Sequence, residues 1–228
     1  MKTTLSAIIL SNTSTDNIYD ATMVCINTLM ESEDFENKFG LEIILIESNK
    51  SYNDRYNFPK EVKVIVPDDS FGFHKFLNIG IKASTGDYIA LCNNDLLFHK
   101  NWFQEVYKVG NAKKEILSFS PIDPIKEIYY TQDIMFGYKI RSYVKGWCII
   151  CKKELFDEIG LLDESFLFYY SDNDYALTLL KYNIKHALIT KSKVEHLHKY
   201  VSKELREKKN AFFKPEFEYK KLPKHLQL

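Results

Sequence analysis

Four short, largely apolar runs alternating with helical patterns constrain this chain more than any other feature. They are Leu5–Leu10, Leu41–Ile46, Val62–Val66 and Asp87–Cys92. Short apolar runs bounded by turn residues read as strands buried on both faces, the mark of a parallel sheet covered by helices. Helical spacing lies between them. Ile18, Ala21, Val24, Cys25 and Leu29 follow a cap at Thr15 or Asp16, and Phe73, Phe76, Leu77, Gly80 and Ile81 precede a stop near Gly86. Alternation at this pitch implies right-handed crossovers. We therefore expect an α/β fold built on a mostly parallel, twisted sheet flanked by helices.

Such sheets bind ligands beyond the carboxyl ends of their strands. Polar residues fall just there: Ser11-Asn12, Glu47-Ser48-Asn49 and Asn93-Asn94-Asp95. The second half is less regular. Residues 115–145 suggest short strands and loops broken at Pro121 and Pro124. A helix is expected from about Lys152 to Gly160, another from Ser171 to Asn183, then a strand over Ile184–Ile189.

The chain has 228 residues, 45% hydrophobic and 27% charged, which fits one folded domain or a core with an appendage and excludes whole-chain disorder. No run approaches the ~18 apolar residues of a membrane span. Four cysteines make no disulfide scaffold, so a reduced, cytoplasmic protein is the expectation. Net charge is zero but uneven: residues 191–228 carry 11 Lys/Arg against 5 Asp/Glu, the remainder 20 against 26. The basic tail reads either as a solvated helix with a loose end or as a contact for a membrane surface or another polyanion. Only Arg55, Arg141 and Arg206 can offer a guanidinium fork to phosphate.

Three constellations can carry chemistry. Asn93-Asn94-Asp95 ends a central strand; its oxygens suit a hard divalent cation, and equally a polar turn. Asp172 follows the run Phe166–Tyr170 at a helix start. It is either an N-cap or a carboxylate whose pKa an apolar wall raises towards that of a useful base. His196 and His198 share a face if extended, as a surface pair or as metal ligands; an imidazole beside a carboxylate favours manganese over magnesium. Trp147-Cys148-Ile149-Ile150-Cys151 imitates a redox motif. It lacks a proline loop within reach, since the next proline is Pro215, and His-x-His is too short for the usual zinc spacing.

Taken together, these segments resemble the family 2 glycosyltransferases, inverting enzymes of the GT-A nucleotide-sugar fold, and within them rhamnosyl- and galactofuranosyltransferase-like members. Phe71–Ile81 resembles the family's Gly-Phe…Asn-x-Gly helix. Ala83–Asp95 is similar to its strand and Asp-x-Asp-type motif. Gly160–Phe166, Phe168–Tyr175 and Val194-Glu195-His196 match three later segments in the family's order.

The resemblance covers roughly residues 5–198, divided into a nucleotide-binding half (1–100) and an acceptor and catalytic half (101–198). A basic, helical C-terminal tail (199–228) lies beyond. The resemblance implies that Asp95 and His196 bind a divalent metal, Mn2+ or Mg2+, on the donor diphosphate. Ser11, Asn12, Glu47, Asn78, Asn93 and Asn94 would line the donor, Gly146, Trp147 and Tyr170 would border sugar and acceptor, and Asp172 would be the base. Glu47 stands where the family usually has Asp, Ser171 replaces the first acid of a Glu-Asp pair, and Asn93 replaces the first Asp of the stricter motif.

The implied activity is inverting transfer from a nucleotide sugar, UDP-linked by family habit, to a hydroxyl of a glycan or lipid-linked saccharide. Hydroxylated bases of DNA are a lesser acceptor class, against which neutral charge and scarce arginine stand. A non-catalytic nucleotide-sugar-binding module is the alternative that Ser171 favours. A nucleotidyltransferase would want glycines after the first strand, where Ser11-Asn12-Thr13-Ser14 has none.

Overall fold

In the computed structural model, residues 2–125 and 130–197 are described. The basic tail, with His198, lies outside them.

The first four apolar runs become β1 (Thr4–Ser11), β2 (Gly40–Glu47), β3 (Val62–Ile65) and β4 (Tyr88–Asn93). They pair in parallel, in the order β3-β2-β1-β4. Burial on both faces holds for β1, β2 and β4, whereas β3, at the sheet edge, leaves Lys63 exposed and Val64 and Ile65 half-buried. Leu5, Ala7 and Ile9 of β1 enter one core, and Ile8 and Leu10 the other; Ala90 and Cys92 of β4 divide from Ile89 and Leu91 in the same way. Helix α1 (Asp16–Glu31) covers the first face with Cys25, Ile26 and Leu29, and starts at Thr15, whose side chain accepts from the Ile18 N–H. Helix α2 (Phe73–Ala83) covers the second with Phe76, Leu77 and Ile81. At Gly80 the helix lies so close to β1 that a Cβ would stand 2.3 Å from Ile8 Cγ2.

Beyond β4 come a three-residue strand β5 (Leu96–Phe98), helix α3 (Trp102–Ala112), β6 (Ser118–Ile122), β7 (Ile134–Phe136), β8 (Cys148–Lys152), short α4 (Leu155–Ile159), α5 (Ser171–Lys181) and β9 (His186–His196). The sheet continues from β4 through β8, β6 and β9 to β5, with β7 also on β9. Here β8 runs antiparallel to β4 and β6, and β9 antiparallel to β5 and β7 but parallel to β6.

Several expectations change. Lys152 closes strand β8 rather than opening a helix, which starts at Leu155. Pro121 sits inside β6 opposite Ile189, tolerated because the register shifts immediately after it. β9 runs past Ile189 to His196. The redox imitation also ends here: Cys148 and Cys151 point into opposite cores, and all four cysteines are free and buried. Cys148 instead faces Cys92 across β4 and β8, Sγ to Sγ 4.0 Å, and burial pushes the Cys151 thiol far up. No helix among the described residues is long and apolar enough to cross a membrane.

Candidate active site

The carboxyl ends of β1, β2 and β4 form a shelf of side chains bonded mainly to one another. The Ser11 hydroxyl meets Thr13 Oγ1 at 3.0 Å and Thr22 Oγ1 at 3.2 Å, and Asn94 Nδ2 donates to Thr22 Oγ1 at 2.8 Å. Glu47 is wholly buried. Its Oε1 accepts from the N–H groups of Thr13 (2.9 Å) and Asn49 (2.7 Å), its Oε2 from the Thr13 hydroxyl (2.6 Å). With both oxygens engaged, Glu47 stiffens the two loops at the carboxyl ends of β1 and β2. Asn12 is the exposed amide of this shelf. Thr13 and Thr22 escape a reading of the sequence, since a hydroxyl in a turn or helix carries no pattern of its own.

Asn78 is enclosed in the same way. It is 1% exposed, its Nδ2 donates to Leu162 O (2.9 Å) and Glu164 Oε1 (3.0 Å), and its Oδ1 accepts from Leu162 N–H (3.0 Å). It clamps α2 to the 162–164 segment.

Strand pairing brings Asp95 and His196 together across 101 positions of sequence. Leu96 of β5 pairs with His196 of β9, and the Leu197 N–H donates to Asp95 O at 2.9 Å. His196 Nε2 thereby lies 3.1 Å from Asp95 Oδ1 and 3.5 Å from Asn93 Nδ2. The indole of Trp147 stacks on the imidazole, centroids 5.4 Å apart and planes at 25°. Among the described residues no third His, Cys, Asp or Glu completes a metal cluster. One carboxylate in the bend between β4 and β5 and one imidazole at the end of β9 fit a cation that takes its other ligands from substrate oxygens and water.

Asp172 stands in the first turn of α5, where Tyr170 caps the helix in the left-handed conformation (φ 65°). Its Oδ1 accepts from the Asn173 N–H at 3.0 Å. Burial pushes its carboxyl above the ordinary value, opposed by that N–H and by the charge of Arg141. Gly146 makes room for it, since a Cβ there would meet Asp172 Cβ at 2.9 Å. Ser171 is not an acid that went missing. Its hydroxyl donates to Phe168 O at 2.7 Å and closes the turn into α5.

Asp174 faces away from Asp172, towards His74 (3.9 Å) and an open groove of about 490 Å³ on the outer side of α5. That groove is not the one that holds the candidate base. His74 Nδ1 donates to Asp163 O at 2.9 Å, and burial depresses its pKa.

A buried relay ties α5 to the loop that carries Gly146. His186 Nε2 lies 3.1 Å from Tyr143 O, His186 Nδ1 2.8 Å from Ser118 Oγ, and Ser118 Oγ 2.7 Å from Tyr175 Oη. A carbonyl only accepts, so Nε2 carries the hydrogen. Nδ1 then accepts from Ser118, which accepts from Tyr175. Burial holds His186 neutral, its pKa down to about 4.

The family model described as Glycosyl transferase family 2 matches residues 23–160. Among solved structures, the chain is similar to one described as GalNAc-T7 with UDP, GalNAc and Mn2+. The TM-score is 0.67 at 16% identity, over 85% of this chain and 43% of that one, which shows a shared GT-A fold. A curated protein of Aedes albopictus named adenosine deaminase is 30% identical over 89 residues, 37% of this chain and 17% of its own length. The chain thus spans less than half the length of these relatives.

Proposed function

The chain belongs to glycosyl transferase family 2, and on that footing we propose that it moves a sugar from a UDP-linked donor to a hydroxyl of a glycan or lipid-linked saccharide, inverting the anomeric carbon. One observation carries the reading. Gly146 touches Asp172 and the next residue, Trp147, stacks on His196, so base and metal pair flank a single peptide step. A reacting sugar seated there reaches both.

Asp95 and His196 would hold a divalent cation, manganese before magnesium for the imidazole. When bound, that cation supplies Lewis-acid stabilisation of charge on the leaving diphosphate. The donor nucleotide lies over the β1–β2–β4 shelf, with Asn12 and Asn93 as its accessible amides. The shelf's internal hydrogen bonds hold it rigid, so little ordering is left to be done on binding. Trp147 and Tyr170 border the acceptor. Asp172 takes the proton from the acceptor hydroxyl. Its raised pKa makes it a stronger base than an exposed carboxylate. A double displacement would need a nucleophilic carboxylate beside the sugar. Ser171 is spent on a turn and Asp174 faces the outer groove, which supports inversion. Four free thiols suit a reducing compartment, and we place the protein in the cytoplasm.

The test is turnover of a panel of UDP-sugars with Mn2+ and saccharide acceptors, the product's anomeric configuration being read by proton NMR. Inverted product is expected. Retained configuration overturns the inversion, and no donor cleavage of any kind overturns the enzyme.

A further inference from the structure

Arg141 lies on the loop that precedes Gly146. Its backbone is left-handed (φ 64°), a strained region for a residue with a Cβ, and three contacts enforce it. Lys145 Nζ donates to Arg141 O at 2.6 Å, Arg141 N–H donates to Val144 O at 2.9 Å, and Ile140 bridges to Val144. The loop so shaped runs directly into Gly146, where it packs against Asp172. Among the described residues Arg141 makes no ion pair, whereas Arg55 binds Asp16 at 2.8 Å. The side chain is exposed, and its charge is felt at the Asp172 carboxyl. An overdetermined turn therefore holds an exposed guanidinium on the loop that packs against the base.

We infer that Arg141 is an anion-binding residue for the acceptor, and that the acceptor is a saccharide bearing a carboxylate or phosphate on, or next to, the ring whose hydroxyl Asp172 deprotonates. The inference rests on Asp172 as that base. A planar guanidinium matches either anion in a bidentate fork, where an ammonium would serve as a point charge only. Docking the anion on Arg141 fixes the ring and aims one hydroxyl at Asp172. It also withdraws the positive charge that depresses the Asp172 pKa, so the base gains strength as the acceptor arrives. A neutral sugar offers neither effect.

The experiment is a melting-temperature measurement on the whole chain with UDP and Mn2+ present, adding glucose, glucuronate or glucose 6-phosphate. A further rise is expected with at least one anionic probe and none with glucose, and the responsive probe separates carboxylate from phosphate. Arg141→Gln should weaken the response about tenfold or more while the UDP–Mn2+ rise persists; Arg141→Lys should restore it in part. Equal rises with all three sugars, or no rise with either anionic probe, overturn the inference. So does an Arg141→Gln variant that loses the UDP–Mn2+ rise, which would assign the guanidinium to the donor diphosphate. Absence of the UDP–Mn2+ rise in the unaltered protein instead overturns the proposed function.

Discussion

Acidification from pH 7 to pH 4 should remove roughly 3 kcal/mol of stability through one imidazole. An unfolded chain protonates His186 near 6.5, whereas burial holds it neutral to about 4 in the folded protein. Between those values the unfolded state binds more protons, so stability falls as pH falls. At about 1.36 kcal/mol per pH unit the interval is worth roughly 3 kcal/mol, present in full at pH 7 and lost progressively below 6.5. The structural reason is the fixed direction of the relay: a second proton would have to enter at Nδ1, where Ser118 already donates. His74 acts in the same direction. Asp172 opposes them, since its raised pKa makes the folded state the better proton binder above 3.8. Urea midpoints at pH 7, 6 and 5, for the natural chain and for His186→Gln, isolate the contribution. The variant should start less stable but show a flatter pH slope. An imidazole resonance of His186 titrating near 6.5 by NMR, or identical slopes in both proteins, would refute the reasoning.

Asp172→Asn should lower the transfer rate about 10²–10⁴-fold, the usual range for a general base, with the UDP–Mn2+ melting shift retained; undiminished transfer contradicts the assignment. His196→Ala should raise the Mn2+ concentration for half-maximal donor turnover by an order of magnitude or more, read by metal titration. Gly80→Ala should cost about 1–3 kcal/mol by chemical denaturation, because its methyl would press on Ile8 from 2.3 Å and α2 cannot retreat without opening the second core.

The parallel half of the fold is legible in the sequence because strands buried on both faces leave unbroken apolar runs, and β1, β2 and β4 each supply one. The chain beyond β4 is harder to read. β5 is only Leu96–Phe98, too short to show a period, although it carries the pairing that brings Asp95 to His196. Helix α3 escapes notice despite Trp102, Phe103, Val106 and Gly110 on one buried side. Lys152 reads as helical because Lys-Lys-Glu-Leu suits a helix start, yet pairing with β4 extends the strand to it. At the site, residue type outruns geometry. Glu47 and Asn78 are polar residues near the expected pocket, but only coordinates reveal that their hydrogen bonds are consumed internally. Nor does sequence disclose that Gly146 and Trp147, two neighbours, touch groups from α5 and β9.

β9 binds β6, β5 and β7 at once, and His196 is its final residue. Consecutive side chains on a strand emerge on opposite sides, so a slip of a single position would carry the imidazole away from Asp95 and bring Glu195 into its place. The chemical character of that corner, nitrogen beside oxygen rather than two carboxylates, is thus decided by the alignment of Val194, Glu195 and His196 with Phe98, Leu97 and Leu96. A single-residue insertion or deletion within the stretch paired to β5 would rewrite the donor set without altering a single ligand, whereas one upstream meets the register break between Ile189 and Lys193.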